Sequence, residues 1–261
     1  MKVVILAGGY GTRLSEETKL RPKPMVEIGE RPILWHIMKY YSSFGYKEFV
    51  IALGYKAESI KSYFLEYQRM NRAISVDFRS NSFSPLFNDG EDWIIHLVDT
   101  GVQTMTGGRV KRLQKWLNNE PFMITYGDGV SDVNLSELVK FHRKQHGIAT
   151  ITAVRPTARF GELDFKGSMV SNFKEKPING DGWINGGFMV FEPEIFSYLE
   201  GDSSILEKDC LEKLATNQLL SAYRHEGFWQ CMDTIKDKQL LEKLYLEEKA
   251  PWCNWSTKPY K

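Results

Sequence analysis

The sequence predicts an α/β protein: a mixed, mostly parallel sheet flanked by helices. Three observations carry this. Short apolar runs of strand character recur through the first half of the chain. They alternate with segments of helical periodicity, which is the pattern of parallel strands joined by helical crossovers. The second half changes to strand-like runs separated by short turns, which predicts antiparallel additions to the sheet. With 261 residues, 42% of them hydrophobic, the chain can bury the core of a single domain. No Pro/Gly/Ser-rich linker or internal repeat divides it.

The elements follow in order. Residues 3–7 (VVILA) predict a first strand from their β-branched, apolar character. Residues 33–41 predict a helix introduced by Arg31-Pro32, and residues 49–53 a second strand closed by Gly54. Ile60, Tyr63, Phe64 and Tyr67 recur at helical spacing within 59–67. Residues 75–78 and 94–98 read as strands, 109–117 as a helix, and 122–126 as a strand running into Gly127-Asp128-Gly129. A helix over 135–146 places Leu135, Leu138 and Val139 on one face, and 150–154 is again a buried strand. Residues 162–165, 169–173 and 183–191 are the antiparallel candidates; 206–215 and 235–247 are helical. Residues 81–92 are the least regular and predict a loop. The aromatic tail from Ala250 is expected to pack its two tryptophans on the body or on a neighbouring subunit.

Charge and cysteine usage exclude several function classes. Thirty-four basic and thirty-three acidic residues leave a net charge of +1, so no nucleic-acid surface is expected and any anion must be held by local clusters. No apolar stretch reaches the length of a membrane span, and the chain enters its first strand without a signal-peptide pattern. Cys210, Cys231 and Cys253 are too few and too scattered for a disulfide framework or a zinc motif. The expectation is buried thiols in a reducing cytoplasm.

The motifs point to a polyphosphate. Ala7, Gly8, Gly9 and Gly11 remove side chains where the first strand ends, so backbone N–H groups can approach phosphates closely. Arg13 and Lys23 add cations beside that loop. The run lacks the third glycine of a dinucleotide fingerprint and the Gly-Lys-Ser/Thr of a Walker loop. Asp128, between two glycines after an apolar strand, fits a metal ligand or a turn aspartate. Asp233 fits a metal ligand or the N-cap of the helix that follows. Asp132 suits a helix start. Lys176 could hold a sugar phosphate and Glu175 a sugar hydroxyl, or the two could form a solvated pair; Asn185 could bind a sugar hydroxyl or make a turn. The run from Thr104 to Arg109 suits a base or phosphate contact, or a capped helix start. His142 and His146, four apart with nothing gathered around them, read as polar-face residues rather than metal ligands.

Taken together, LAGGYGTRLSEET, RPKPMVEIG, LVDTG, MTGGRVKR, TYGDGV, EKP, INGGF, FWQ and MDT resemble the sugar-1-phosphate nucleotidyltransferases over nearly the whole chain. LVDTG, MTGGRVKR and TYGDGV resemble the cytidylyl branch. The resemblance implies a Rossmann-like fold of the nucleotide-diphospho-sugar transferase type. It implies transfer of a cytidylyl group from CTP to glucose 1-phosphate with Mg²⁺, in a cytoplasmic homo-oligomer, a hexamer, free of membrane and nucleic acid. Leu6, Ala7, Gly8, Gly9, Tyr10, Gly11, Thr12, Arg13, Lys23, Thr104, Arg109 and Gly127 would bind the nucleotide. Arg13, Lys23 and Asp128 would be catalytic, Asp128 and Asp233 would hold the metal, and Glu175, Lys176 and Asn185 would bind the sugar phosphate. Residues 1–132 would then be mainly the nucleotide half, and 133–261 the sugar-phosphate half with the oligomerisation elements. A uridylyl- or thymidylyltransferase, a cytidylyltransferase for another sugar, and a non-catalytic nucleotide-sugar-binding regulator are the alternatives. Cys231 stands where the family usually has proline.

Overall fold

The computed structural model describes residues 1–70, 74–85, 90–156, 162–174 and 182–255. Seven strands build the central sheet: β1 (Val3–Leu6), β2 (Glu48–Leu53), β3 (Ile94–Asp99), β4 (Phe122–Tyr126), β5 (Ala149–Val154), β6 (Ile184–Phe191) and β7 (Leu220–His225). Their spatial order is β7-β5-β6-β4-β1-β2-β3. Strands β3, β2, β1 and β4 are mutually parallel. β7 runs parallel to β5, while β6 runs antiparallel to both β5 and β4.

The apolar runs are continuous because both faces of the sheet are covered. In β1 the side chains alternate: Val3 and Ile5 enter one core, Val4 and Leu6 the other. Helices α1 (Ile33–Ser43) and α2 (Ala57–Met70) pack on the first face through Ile37, Tyr41, Ile60 and Phe64. Helix α3 (Thr106–Arg112) covers the second face through Val110, together with Phe196, Leu206 and Leu214. Helices α4 (Leu135–Lys144) and α5 (Ile235–Leu246) return to the first. Trp252 of the tail is fully buried there, stacked on Phe228, and Trp255 lies edge-on to Trp35. The tail residues described thus pack on the body.

Several elements differ from expectation. The predicted helix over 109–117 begins earlier, at Thr106, and gives way to a 3-10 turn at Gln114–Trp116. Gly107 and Gly108 enter the helix despite glycine's low propensity, because a Cβ at either would lie within 2.8 Å of backbone atoms of Ser204 or Asp202. Residues 206–215 form a π-helical turn, Leu206–Leu211, before a short α-helix, Glu212–Thr216. Among the described residues, Glu162–Lys166 and Met169–Lys174 pair only with each other, as a hairpin outside the central sheet. Within the predicted loop 81–92, Ser82–Pro85 pairs with Ile74–Asp77. β7 was not predicted: as an edge strand it is only half-buried and lacks a clear apolar run.

Candidate active site

The carboxyl ends of β1 and β4 open into a cavity of about 660 Å³. Parallel α/β sheets present ligands at this edge, because the loops leaving the strands meet there. The predicted site residues that are described, 6–13, Lys23, Thr104, Arg109, Gly127, Asp128, Asn185 and Asp233, all line it. Glu175 and Lys176 lie outside the described residues.

The glycine loop is shaped from two sides. Gly11 has φ +65, a backbone conformation that favours glycine, and its carbonyl accepts from Leu14 N at 3.0 Å as the next turn starts. A Cβ on Gly8 would sit 2.2 Å from the Arg109 guanidinium, so only a bare backbone lets Arg109 Nη2 reach the Gly8 carbonyl at 3.0 Å. Arg109 is 5% exposed. Its Nη1 also donates to Leu53 O at 2.9 Å, Thr100 Oγ1 at 2.8 Å and Gly101 O at 2.7 Å, and its Nη2 to Val102 O at 3.3 Å. Burial depresses its pKa below the ordinary arginine value, with Asp99 at longer range opposing. Arg109 therefore clamps the glycine loop to the segment 100–102. Thr104 is buried beside it.

Lys23 starts a 3-10 turn between Pro22 and Pro24, whose rings restrict the backbone there. It is 8% exposed, and its Nζ lies 2.5 Å from Asp128 Oδ2 and 2.6 Å from Asp233 Oδ1. Arg13 Nη1 meets Asp233 Oδ2 at 2.7 Å. A short antiparallel ribbon brings the two aspartates together. Trp229–Cys231 pairs with Gly129–Ser131, Cys231 opposite Gly129, and Met232 N donates to Asp128 O at 2.8 Å. Burial works against the Lys23 ammonium, but the Asp128 and Asp233 carboxylates outweigh it and lift its pKa above the usual lysine value. Burial likewise opposes ionisation of Asp233, and Lys23 and Arg13 overcome it, holding that carboxyl below its usual range. The Cys231 thiol, also lining the cavity, is pushed up to about 12 by burial and by Asp233.

The sequence left Asp233 open as a helix cap; the structure gives that role to Thr234. Thr234 Oγ1 accepts from Asp237 N at 3.2 Å, and Asp237 Oδ2 accepts from Thr234 N at 2.8 Å, a complete capping box for α5. Asp233 is thereby left to face Lys23 and Arg13. Asn185 lies within β6 rather than in a turn and lines the cavity, and its Oδ1 accepts from Gly187 N at 2.9 Å. His142 bonds Thr150 Oγ1 at 2.9 Å and Glu192 Oε1 at 3.1 Å, away from the cavity. Asp132 accepts from His225 at 2.8 Å. The sequence does not single out Tyr126 as a site residue, whereas Thr106 lies within the run from Thr104 to Arg109 that it marks; both are in the cavity wall. Tyr126 is the last residue of a strand already recognised, and its position beside Asp128 was the available signal.

Known proteins resemble this chain over nearly its whole length. The nucleotidyl transferase family model matches residues 2–242. Glucose-1-phosphate cytidylyltransferase of Salmonella typhimurium is 46% identical over 256 residues, covering 98% of this chain and 100% of that protein. A Bacillus subtilis protein named "Probable glucose-1-phosphate cytidylyltransferase" is 41% identical over the same shares of both chains. A crystal structure of UDP-glucose pyrophosphorylase with UDP-glucose superposes with a TM-score of 0.67 at 18% identity, covering 95% of this chain and 98% of that one, which shows the shared fold. The family match and the full-length similarity agree: the chain belongs to the nucleotidyl transferase family, in the group of the glucose-1-phosphate cytidylyltransferases.

Proposed function

We propose that the chain transfers the cytidylyl group of CTP to glucose 1-phosphate, forming CDP-glucose and pyrophosphate. The observation that carries this reading is the Lys23–Asp128–Asp233 cluster, set at the mouth of the glycine loop in a chain 46% identical to a glucose-1-phosphate cytidylyltransferase. A phosphate oxygen of the sugar attacks the α-phosphorus, and the bond to the β-phosphate oxygen breaks. Both reactants are anions, so the site has to counter charge and align them. Backbone N–H groups of residues 8–13 face the triphosphate, with Arg13 and Lys23 as its cations. Asn185, and Glu175 with Lys176 outside the described residues, address the sugar phosphate.

Enzymes of this family generally use a divalent metal, and we assign Mg²⁺. The donor set fits: two carboxylates already converge on one positive charge, the Lys23 ammonium. Mg²⁺ commonly takes one or two carboxylates and completes its shell with water and substrate phosphates. Among the described residues no group of three or more His, Cys, Asp or Glu gathers, so phosphates and water would supply the remaining positions. Asp128 and Asp233 would hold the ion, which when bound screens the phosphates and stabilises charge developing on the leaving group.

We also read the protein as a single domain with nucleotide and sugar-phosphate halves, assembled as a cytoplasmic homohexamer. Exposed Phe78, Met169 and Val170, on or beside two hairpins, support an assembly. Free thiols at Cys210, Cys231 and Cys253 support a reducing compartment. Among the described residues no helix is long and apolar enough to cross a membrane. A matrix of nucleoside triphosphates against sugar 1-phosphates, scored by pyrophosphate release with Mg²⁺, tests the activity. The expected pair is CTP with glucose 1-phosphate; turnover with UTP or dTTP but not CTP overturns the base assignment. Sedimentation tests the hexamer.

A further inference from the structure

We propose that Glu207 is a positioning residue that couples the nucleotide and sugar-phosphate sides of the cavity by holding Thr106 and Tyr126 on one carboxylate. The proposal rests on the substrate placement above. Glu207 is the second residue of the π-helical turn Leu206–Leu211 and is not among the residues lining the cavity. Single π-turns are rare and recur at functional sites.

Each carboxylate oxygen has its own donor. The Tyr126 hydroxyl donates to Glu207 Oε1, and Thr106 Oγ1 donates to Oε2 at 2.8 Å. Hydrogen bonds to a carboxylate are stronger and more directional than neutral ones.

The donors line the same cavity from different elements, α3 and β4. Thr106 opens α3, the helix that carries Arg109 and follows Thr104 on the nucleotide side. Tyr126 ends β4 two residues before Asp128, and its ring lies against Gly187 of β6, the strand of Asn185. A Cβ on Gly187 would fall 2.5 Å from Tyr126 Cδ2, so the ring has no room to retreat on that side.

The latch is stiff on the helix side as well. Thr106 Oγ1 accepts from Leu206 N at 2.9 Å, Gly108 N donates to Ser204 O at 3.1 Å, and Met105 N donates to Asp202 O at 2.8 Å. A ligand that shifts the first turn of α3 therefore pulls on Glu207, and through it on the ring that backs Gly187. A carboxylate that merely stabilised its own turn would need neither of these two donors.

The test is a double-mutant cycle of Thr106→Val and Tyr126→Phe, run in the native background and in Glu207→Ala. Michaelis constants are measured for each substrate, with a melting curve for every variant. Tyr126→Phe is expected to raise the KM for glucose 1-phosphate more than that for CTP, and Thr106→Val the reverse. In the native background the two changes should be non-additive by about fivefold in kcat/KM, the usual size for residues sharing one network. In Glu207→Ala that coupling should vanish. Additive losses with Glu207 present overturn the proposal, as does unchanged coupling without it. Should Glu207→Ala fail to fold, Glu207→Gln, which keeps one acceptor oxygen, takes its place: coupling between Thr106→Val and Tyr126→Phe should shrink in that background, and unchanged coupling there, or additivity in the native background, overturns the proposal. A wild-type protein inactive with CTP and glucose 1-phosphate refutes the substrate assignment instead, and the same cycle is then read on the pair found by the substrate matrix.

Discussion

Two buried cations stand in the same cavity wall and are neutralised in opposite ways. Lys23 faces two carboxylates at 2.5 and 2.6 Å. Arg109 meets four carbonyls and one hydroxyl, and among the described residues none of its hydrogen-bond partners is a carboxylate. On the function proposed above, the difference separates a charge used in the reaction, Lys23, from a brace, Arg109. A planar guanidinium can satisfy several carbonyls at fixed angles, which suits it to clamping loops. A flexible ammonium between two carboxylates carries charge that can be redirected when a phosphate or metal arrives. The cluster also stands next to the cavity mouth, through Arg13, whose side chain is 74% exposed, whereas Arg109 is closed off beneath the glycine loop.

The largest effect is expected at the brace. Arg109→Met would leave carbonyls of three separate segments without a donor, at a cost of about 3–5 kcal/mol of stability, comparable to breaking a buried charged network. Urea unfolding measures this; a loss below about 1 kcal/mol would mean that the loops hold without the clamp.

At Lys23 the expectation reverses, with chemistry affected more than folding. Lys23→Met should lower kcat/KM by about a hundredfold or more, roughly 2.7 kcal/mol of transition-state stabilisation. A folded variant with near-native turnover would remove Lys23 from the reaction.

A smaller pair of variants separates Asp233 from its neighbour. Asp233→Asn should cut kcat and shift the Mg²⁺ dependence while leaving the α5 cap intact. Thr234→Ala should lower stability by about 1 kcal/mol with the Mg²⁺ dependence unchanged. Full activity of Asp233→Asn at low Mg²⁺ would break the paired-carboxylate reading.

The smallest effect is in pH. The Asp233 pKa is depressed from an ordinary 3.8, so its contribution to stability is present above that value and fades as pH falls through the lower folded one. Melting curves across that acid range should be steeper in pH for the native protein than for Asp233→Asn. Arg109, bonded to groups that do not titrate there, should add no slope; equal slopes in both proteins would show that Asp233 is not held by its cations.

Much of the site was legible because its motifs are local. A strand followed by small residues, prolines around a lysine and an aspartate between glycines each report a backbone shape within a few positions. The strands β1, β2 and β4 and the helices α1, α4 and α5 were legible for the same reason, since burial on one or two faces prints a period of apolar residues. Local patterning misled where a distant contact decided. Gly107 and Gly108 look like a loop until Asp202 and Ser204 close on them, and β7 reads as surface until β5 pairs with it.

By itself, then, the sequence determined the α/β class, the glycine loop and the identity of the charged residues, because these depend on side-chain type and short spacing. Only the tertiary structure decided which charges meet. Asp128 and Asp233 come together through a two-stranded ribbon, Lys23 enters between them from another segment, and Arg109 turns to carbonyls rather than carboxylates. Pairings between residues a hundred or more positions apart are set by strand register and packing, and neither leaves a local trace in the chain.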